Sequence, residues 1–196
     1  MEVTLLITRD QLPEDTIEKA ITGIPEPFSD EFQINLFFLD RGVYLADNAF
    51  PHLDIRQKIA CAHSRNRHHL PPFTGDHPAR DGGLANLGEM IGRSRFTLSL
   101  PNLHWPSAPD DGRHKSILVL LPDPLHLTEG LRLATGLAGC DHRLTIRHPE
   151  GISFPADGKI YQEALTALGS RFDGVPAGKI FDFSGTTPLW EVILQV

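Results

Sequence analysis

The run FQINLFFLD at 32–40 constrains the fold most strongly. It is so apolar that a strand built from it must be covered on both faces, which is the mark of a parallel sheet between helices. Its neighbours supply the rest of such a unit. EVTLLIT (2–8) is short, apolar and β-branched, and predicts a buried first strand. Residues 13–24 predict a helix. Pro13 suits a first turn, Glu14 and Asp15 favour a helix N-terminus, and Ile17, Ala20, Ile21 and Ile24 recur at helical spacing. Gly42 permits a tight turn within RGVYLAD (41–47). The segment 54–64 reads as a helix tail or a strand, and Ile59, Ala60 and Ala62 leave both open. A helix over 83–94, with Leu84, Leu87, Met90 and Ile91 on one face, and a strand over 95–100 complete the first half.

Residues 101–115 are rich in Pro, Asp and Gly and lack periodicity, as in a linker or long loop. Within them His104, Trp105, Asp110 and Asp111 read as solvated loop, with Trp105 a candidate interface anchor. The pattern then restarts. Strands are expected over 116–123 and 142–148, helices over 127–139 and 159–172, and extended chain over 177–183 and 189–196. The expected fold class is therefore α/β, a mostly parallel open sheet with helices on both faces. Its division is a unit over 1–100, the linker 101–115 and a divergent unit over 116–196; one enlarged domain is the alternative.

The 196 residues carry a formal net charge of -7, which excludes the basic footprint of a nucleic-acid binder. No apolar run reaches the roughly 20 residues that span a bilayer. The start MEVTLLITRD lacks the basic front and long apolar middle of a signal peptide, so a cytoplasmic location is expected. In a reducing compartment the two cysteines, Cys61 and Cys140, are expected to be free. Cys140, beside the helix-ending Gly139, reads as a packing residue. No phosphate-binding glycine motif and no G-x-S-x-G elbow occurs.

KIACAHSRNRHHL (58–70) holds the densest chemistry. An isolated cysteine, with a pKa of about 8.5, is mostly protonated at neutral pH, and adjacent cations favour the reactive thiolate. Arg65 and Arg67 are permanently charged, and His63 and His68 can be. Ser64 could cap a helix starting nearby or hydrogen-bond the sulfur. A second reading is metal binding by Cys61, His63, His68, His69 and His77, although the regular C-x2-C and H-x3-H spacings are missing. A third is that Cys61 simply packs, as free cysteines commonly do. Asp40 and Tyr44, in the turn after the second strand, are candidates for the same pocket.

VTLLIT, INLFFLDRGVYLA, CAHSRNR and GGLANLGEMIGRSRFTLSL follow one another in an order that resembles the DsrE-like family of sulfur-relay proteins, which includes the TusB, TusC and TusD types. The resemblance covers about residues 2–100 and extends to the second half only in general pattern, so that two consecutive DsrE-like units are the leading expected architecture. The His- and Pro-rich RHHLPPFTGDHPARD and the fused second half depart from it. The resemblance implies an open parallel sheet, homo- or hetero-oligomers, and sulfur carried as a persulfide on Cys61. His63, Ser64, Arg65, Arg67, Asp40 and Tyr44 would then surround the thiolate. The partners would be sulfur donor and acceptor proteins, with no cofactor or metal. Some family members lack the cysteine and are accessory subunits, so a non-catalytic assembly or binding protein is the rival expectation, with a metal-binding accessory protein the third.

Overall fold

The computed structural model describes residues 2–12, 16–23, 33–48, 50, 53–100, 114–182 and 190–196. The chain is α/β. A five-stranded sheet has the order β4-β3-β2-β1-β5, from β1 (Glu2–Ile7), β2 (Gln33–Phe38), β3 (Ile55–Cys61), β4 (Ala79–Gly82) and β5 (Phe96–Leu100). A four-stranded sheet has the order β8-β7-β6-β9, from β6 (Ser116–Leu120), β7 (Arg143–Pro149), β8 (Arg171–Val175) and β9 (Val192–Gln195). Among the described residues every strand pair is parallel. The helices are α1 (Thr16–Thr22), α2 (Ala62–Arg67), α3 (Leu84–Arg93), α4 (Leu127–Ala138) and α5 (Ala156–Ala167).

Strand alternation sorts the first sheet's side chains into two cores. Val3, Leu5, Ile7, Leu36, Phe38 and Ala60 face one cluster, which Ile17 and Ala20 of α1 cover. Leu6, Phe37, Ile59 and Cys61 face the other, which they share with Leu87 and Met90 of α3, Leu131, Ala134 and Leu137 of α4, and Ile117 and Val119 of β6. The two sheets thus bury one continuous apolar cluster between them. Their edge strands β5 and β9 also meet: Gln195 N donates to Ser99 Oγ at 3.3 Å, and Ser99 Oγ donates to Gln195 O at 3.1 Å. Both residues lie near the C-terminal ends of their strands, so the C-terminal ends of the described strands of both sheets open on one side. The contact between α3 and α4 depends on small residues. A Cβ on Gly136 would lie 2.5 Å from Leu84 Cβ, and one on Gly88 would lie 2.4 Å from Cys140 Sγ.

Several expectations are corrected. The ambiguous 54–64 segment is both things in turn, β3 and then α2. The turn over 41–47 is a 3-10 helix, Asp40–Leu45. Gly42 lets it sit against β1, since a Cβ there would lie 2.0 Å from the Ile7 carbonyl oxygen. The helix expected over 159–172 ends at Ala167, where Gly169 takes φ +78°, and the chain enters β8 two residues later. Residues 177–179 form a 3-10 turn and not extended chain. Strand β4 lies in the His- and Pro-rich segment, where no periodicity announced it. His104, Trp105, Asp110 and Asp111, with most of the expected linker, lie outside the described residues, as do Pro13, Glu14, Asp15 and Ile24.

Candidate functional site

Cys61 is the last residue of β3 and the N-cap of α2, with φ -63° and ψ 114°. It therefore stands at the C-terminal sheet edge, where open α/β folds place their ligands. Its side chain points into the cluster shared by the two sheets, and the residue is 1% exposed.

The cation at the sulfur comes from the second half of the chain. Arg132 Nη2, on α4, lies 3.4 Å from Cys61 Sγ and donates toward it. The same guanidinium binds Glu129 through two donors, Nε to Oε2 at 3.0 Å and Nη2 to Oε1 at 2.5 Å. Glu129 is 2% exposed and also accepts from Ser64 Oγ at 3.2 Å. Burial pushes the Glu129 carboxyl up. The Arg132 hydrogen bond and charge, with the Ser64 hydroxyl and His63, outweigh burial and hold it below the usual carboxylate range. Burial likewise opposes the charge on Arg132, but Glu129 and then Cys61 more than offset it and raise that group.

Ser64 continues the network. Its hydroxyl accepts from the backbone N–H of Asp40 at 3.0 Å. Asp40 has φ +49°, a left-handed conformation that costs less for Asp than for most residues. Its buried carboxylate lies 3.3 Å from His68 Nε2 and 3.0 Å from His126 Nδ1. His126 belongs to the second half, so Asp40 and Glu129 both tie the halves together at this edge. Beside them a cleft of about 350 Å³ is lined by Thr8, Arg9, Asp10, Gln11, Asp40, Arg41, Asp123, His126 and Val196. It opens beyond the ends of β1, β2, β6 and β9, and the second sheet reverses its strand order between β6 and β9.

The residues expected from sequence divide at this point. Cys61, Ser64, Asp40 and His68 belong to one polar network. Tyr44 meets it at His68, with ring centroids 5.3 Å apart. His63 is exposed and acts on Glu129 by charge. Arg65 is not turned to the sulfur. Its guanidinium lies 3.6 Å over the Phe73 ring, its Nε is 3.1 Å from Asp81 Oδ1, and it donates to the Pro71 carbonyl. The Asp81 approach is an ion pair without hydrogen-bond alignment. Arg67 is half-exposed, 3.8 Å from Glu129 Oε2. Ser64 neither caps α2 nor leads it, because the helix begins at Ala62.

Three participants were missed: Arg132, Glu129 and His126. They lie more than sixty positions from Cys61, Glu129 and Arg132 in a helical pattern that sequence periodicity assigns only to packing and His126 in the turn before it. Among the described residues no group of three or more His, Cys, Asp or Glu side chains is placed to hold a metal ion. His77 instead stacks on Phe73 at 4.2 Å. Both cysteines are free, and Cys140 lies at the opposite sheet edge, between α4 and β7. Burial first, then Glu89 and Asp141, push its thiol up. Among the described residues no helix is long and apolar enough to cross a membrane. Comparison with family models, with curated proteins and with solved structures finds no match.

Proposed function

We propose that this chain is a sulfur carrier that holds sulfur as a persulfide on Cys61 and passes it to a partner thiol. The observation that supports this reading best is the guanidinium of Arg132, 3.4 Å from a sulfur at the C-terminal end of a parallel strand. A fixed cation there favours the thiolate, and the thiolate is the form that attacks.

The chemistry balances without an oxidant or reductant. The Cys61 thiolate attacks the outer sulfur of a donor persulfide. The S–S bond of the donor breaks, and its thiolate leaves with the electron pair. The acceptor thiolate then attacks the outer sulfur of the Cys61 persulfide, and the Cys61 thiolate departs. Arg132 offers its charge to the sulfur at each stage. Donor and acceptor are proteins or small persulfides in a reducing cytoplasm, and an oligomer of this chain or with related subunits is part of the reading.

Burial of Cys61 means that the edge must open locally before a partner reaches the sulfur. That same burial favours a second reading, in which Cys61 packs and the protein is a non-catalytic assembly or binding subunit. Intact mass separates the two. After incubation with inorganic polysulfide and removal of excess, the carrier gains about 32 Da, the mass of one sulfur, as a persulfide. The gain is lost in Cys61→Ala and kept in Cys140→Ala. An unchanged mass in the folded wild-type protein supports the packing reading.

A further inference from the structure

We propose that Glu129 is a positioning residue that restrains Cys61 by competing with it for Arg132, so that the second half of the chain sets the charge state of the first half's thiol. Both acceptors meet one nitrogen, whose two N–H groups can serve one each, so they compete for the guanidinium's charge and not for a hydrogen. Arg132 Nη2 faces Glu129 Oε1 at 2.5 Å and Cys61 Sγ at 3.4 Å. A carboxylate at the shorter distance takes most of that donor's charge. In a site this dry the division matters, since charges there are weakly screened.

The architecture makes the division a property of the fused halves. The sheet orders β3-β2-β1-β5 and β8-β7-β6-β9 correspond strand for strand. At the end of β8, where β3 carries Cys61, stands Val175. The second half thus has no thiol of its own at that place and presents Glu129 and Arg132 from α4 to the thiol of the first. Glu129 is held in position from both sides, by Arg132 on its own helix and by the Ser64 hydroxyl from α2. Burial acts against its charge, and Arg132, Ser64 and His63 keep it ionised.

The other charged groups facing the pair are few. Arg67 on α2 approaches the outer oxygen of Glu129 at 3.8 Å, and His63 acts on it from solvent. Asp40, with His68 and His126, lies beyond Ser64. Arg65 is committed to Asp81.

The inference rests on Cys61 being a working thiol, and its test uses variants whose effects have opposite signs. Alkylation of Cys61 by iodoacetamide is followed by peptide mass across pH 5–9, with Cys140→Ala as background. Glu129→Gln frees Arg132's charge for the sulfur and speeds labelling at pH 7 by about tenfold, which corresponds to about 1.4 kcal/mol in favour of the thiolate. Arg132→Met slows it by about the same factor. Arg132→Lys, which keeps the charge, recovers part of the rate, and Glu129→Asp, which draws the carboxylate back, falls between wild type and Glu129→Gln. A purely structural role for the pair predicts faster labelling in both Glu129→Gln and Arg132→Met, because either change loosens the edge. That result, or no change in either variant, overturns the inference. If the polysulfide mass gain is present but these rates move together, the inference alone fails. If the gain is absent while the rates move in opposite directions, the carrier reading fails and the inference stands.

Discussion

Arg132 donates to the sulfur of Cys61 across 71 positions of sequence, from the second sheet's first helix to the first sheet's third strand. The thiol and its cation therefore become neighbours only when both halves are folded and joined. The shared apolar cluster and the seam between Ser99 and Gln195 hold them together. The central feature of the candidate site is thus a product of how the halves pack, and changes in that packing have measurable consequences.

Arg65 is predicted to matter for stability and not for the thiol. It is buried over Phe73 and paired with Asp81, and it fastens the segment 71–82 that carries β4. Arg65→Ala leaves the half-buried Asp81 without its cation and should cost about 1–3 kcal/mol, as leaving a partly buried polar group unpaired does. Urea unfolding measures this. Sulfur loading per folded molecule should equal that of wild type, which separates Arg65 from Arg132.

Acid should destabilise the fold in two steps. The first belongs to His142, whose Nδ1 accepts from the Lys115 N–H at 3.0 Å while Nε2 lies 3.1 Å from the Gly88 carbonyl oxygen. That pattern fits the neutral ring, and burial, the largest cause, pushes the imidazole below its ordinary value of 6.5. The unfolded chain therefore takes up a proton that the native state resists, and stability falls as pH drops below about 6.5. The second step belongs to Glu129. Its folded value is lowered, so the stability it contributes above its ordinary value of 4.5 is lost as pH falls through the folded value. Urea midpoints measured from pH 8 to pH 3 should show both steps. His142→Asn should flatten the upper step and leave the lower one.

Gly136→Ala should destabilise although it improves helix propensity by about 1 kcal/mol. The new Cβ would sit 2.5 Å from Leu84 Cβ, next to the backbone of α3, where no flexible chain end can move aside. Overpacking of this kind costs about 1–3 kcal/mol. The expected result is a net loss of stability by thermal or urea unfolding, with α3 and α4 forced apart. A stabilised Gly136→Ala would mean that the helices are not packed this closely.

The α/β class was legible because local pattern carries it. Ile34 to Leu39 are apolar without a break, apart from Asn35, and Leu84 to Ile91 repeat at helical spacing. Short strands without such a pattern were not legible. Ala79–Gly82 has the sequence ARDG and becomes an edge strand through tertiary contacts: pairing with β3, burial of Ala79 and the Arg65–Asp81 pair. Arg171–Val175 was absorbed into the preceding helix because Gly169 was not read as its end. At the candidate site, Cys61, Ser64 and Asp40 stand out in the sequence because they lie at strand ends and in one dense segment. Arg65 and Arg67 were assigned to the thiol by closeness in sequence. A helix, however, spreads successive residues around its axis, and Arg65 leaves on the side facing Asp81. Glu129 and Arg132 carry no local signal of their role, since an i, i+3 acid–base pair on a helix is most simply a surface ion pair.

Labelling in the native state decides whether Cys61 is a usable thiol or a sealed one. Alkylation of the Cys140→Ala protein should be followed at increasing urea concentrations below the unfolding transition. The carrier account predicts a rate that is nearly independent of urea there and far above what global unfolding permits, because only the edge around Arg132 must open. A rate that rises with urea along the global unfolding curve from zero denaturant would show that the sulfur is reached only when the whole fold is lost, and would contradict the account.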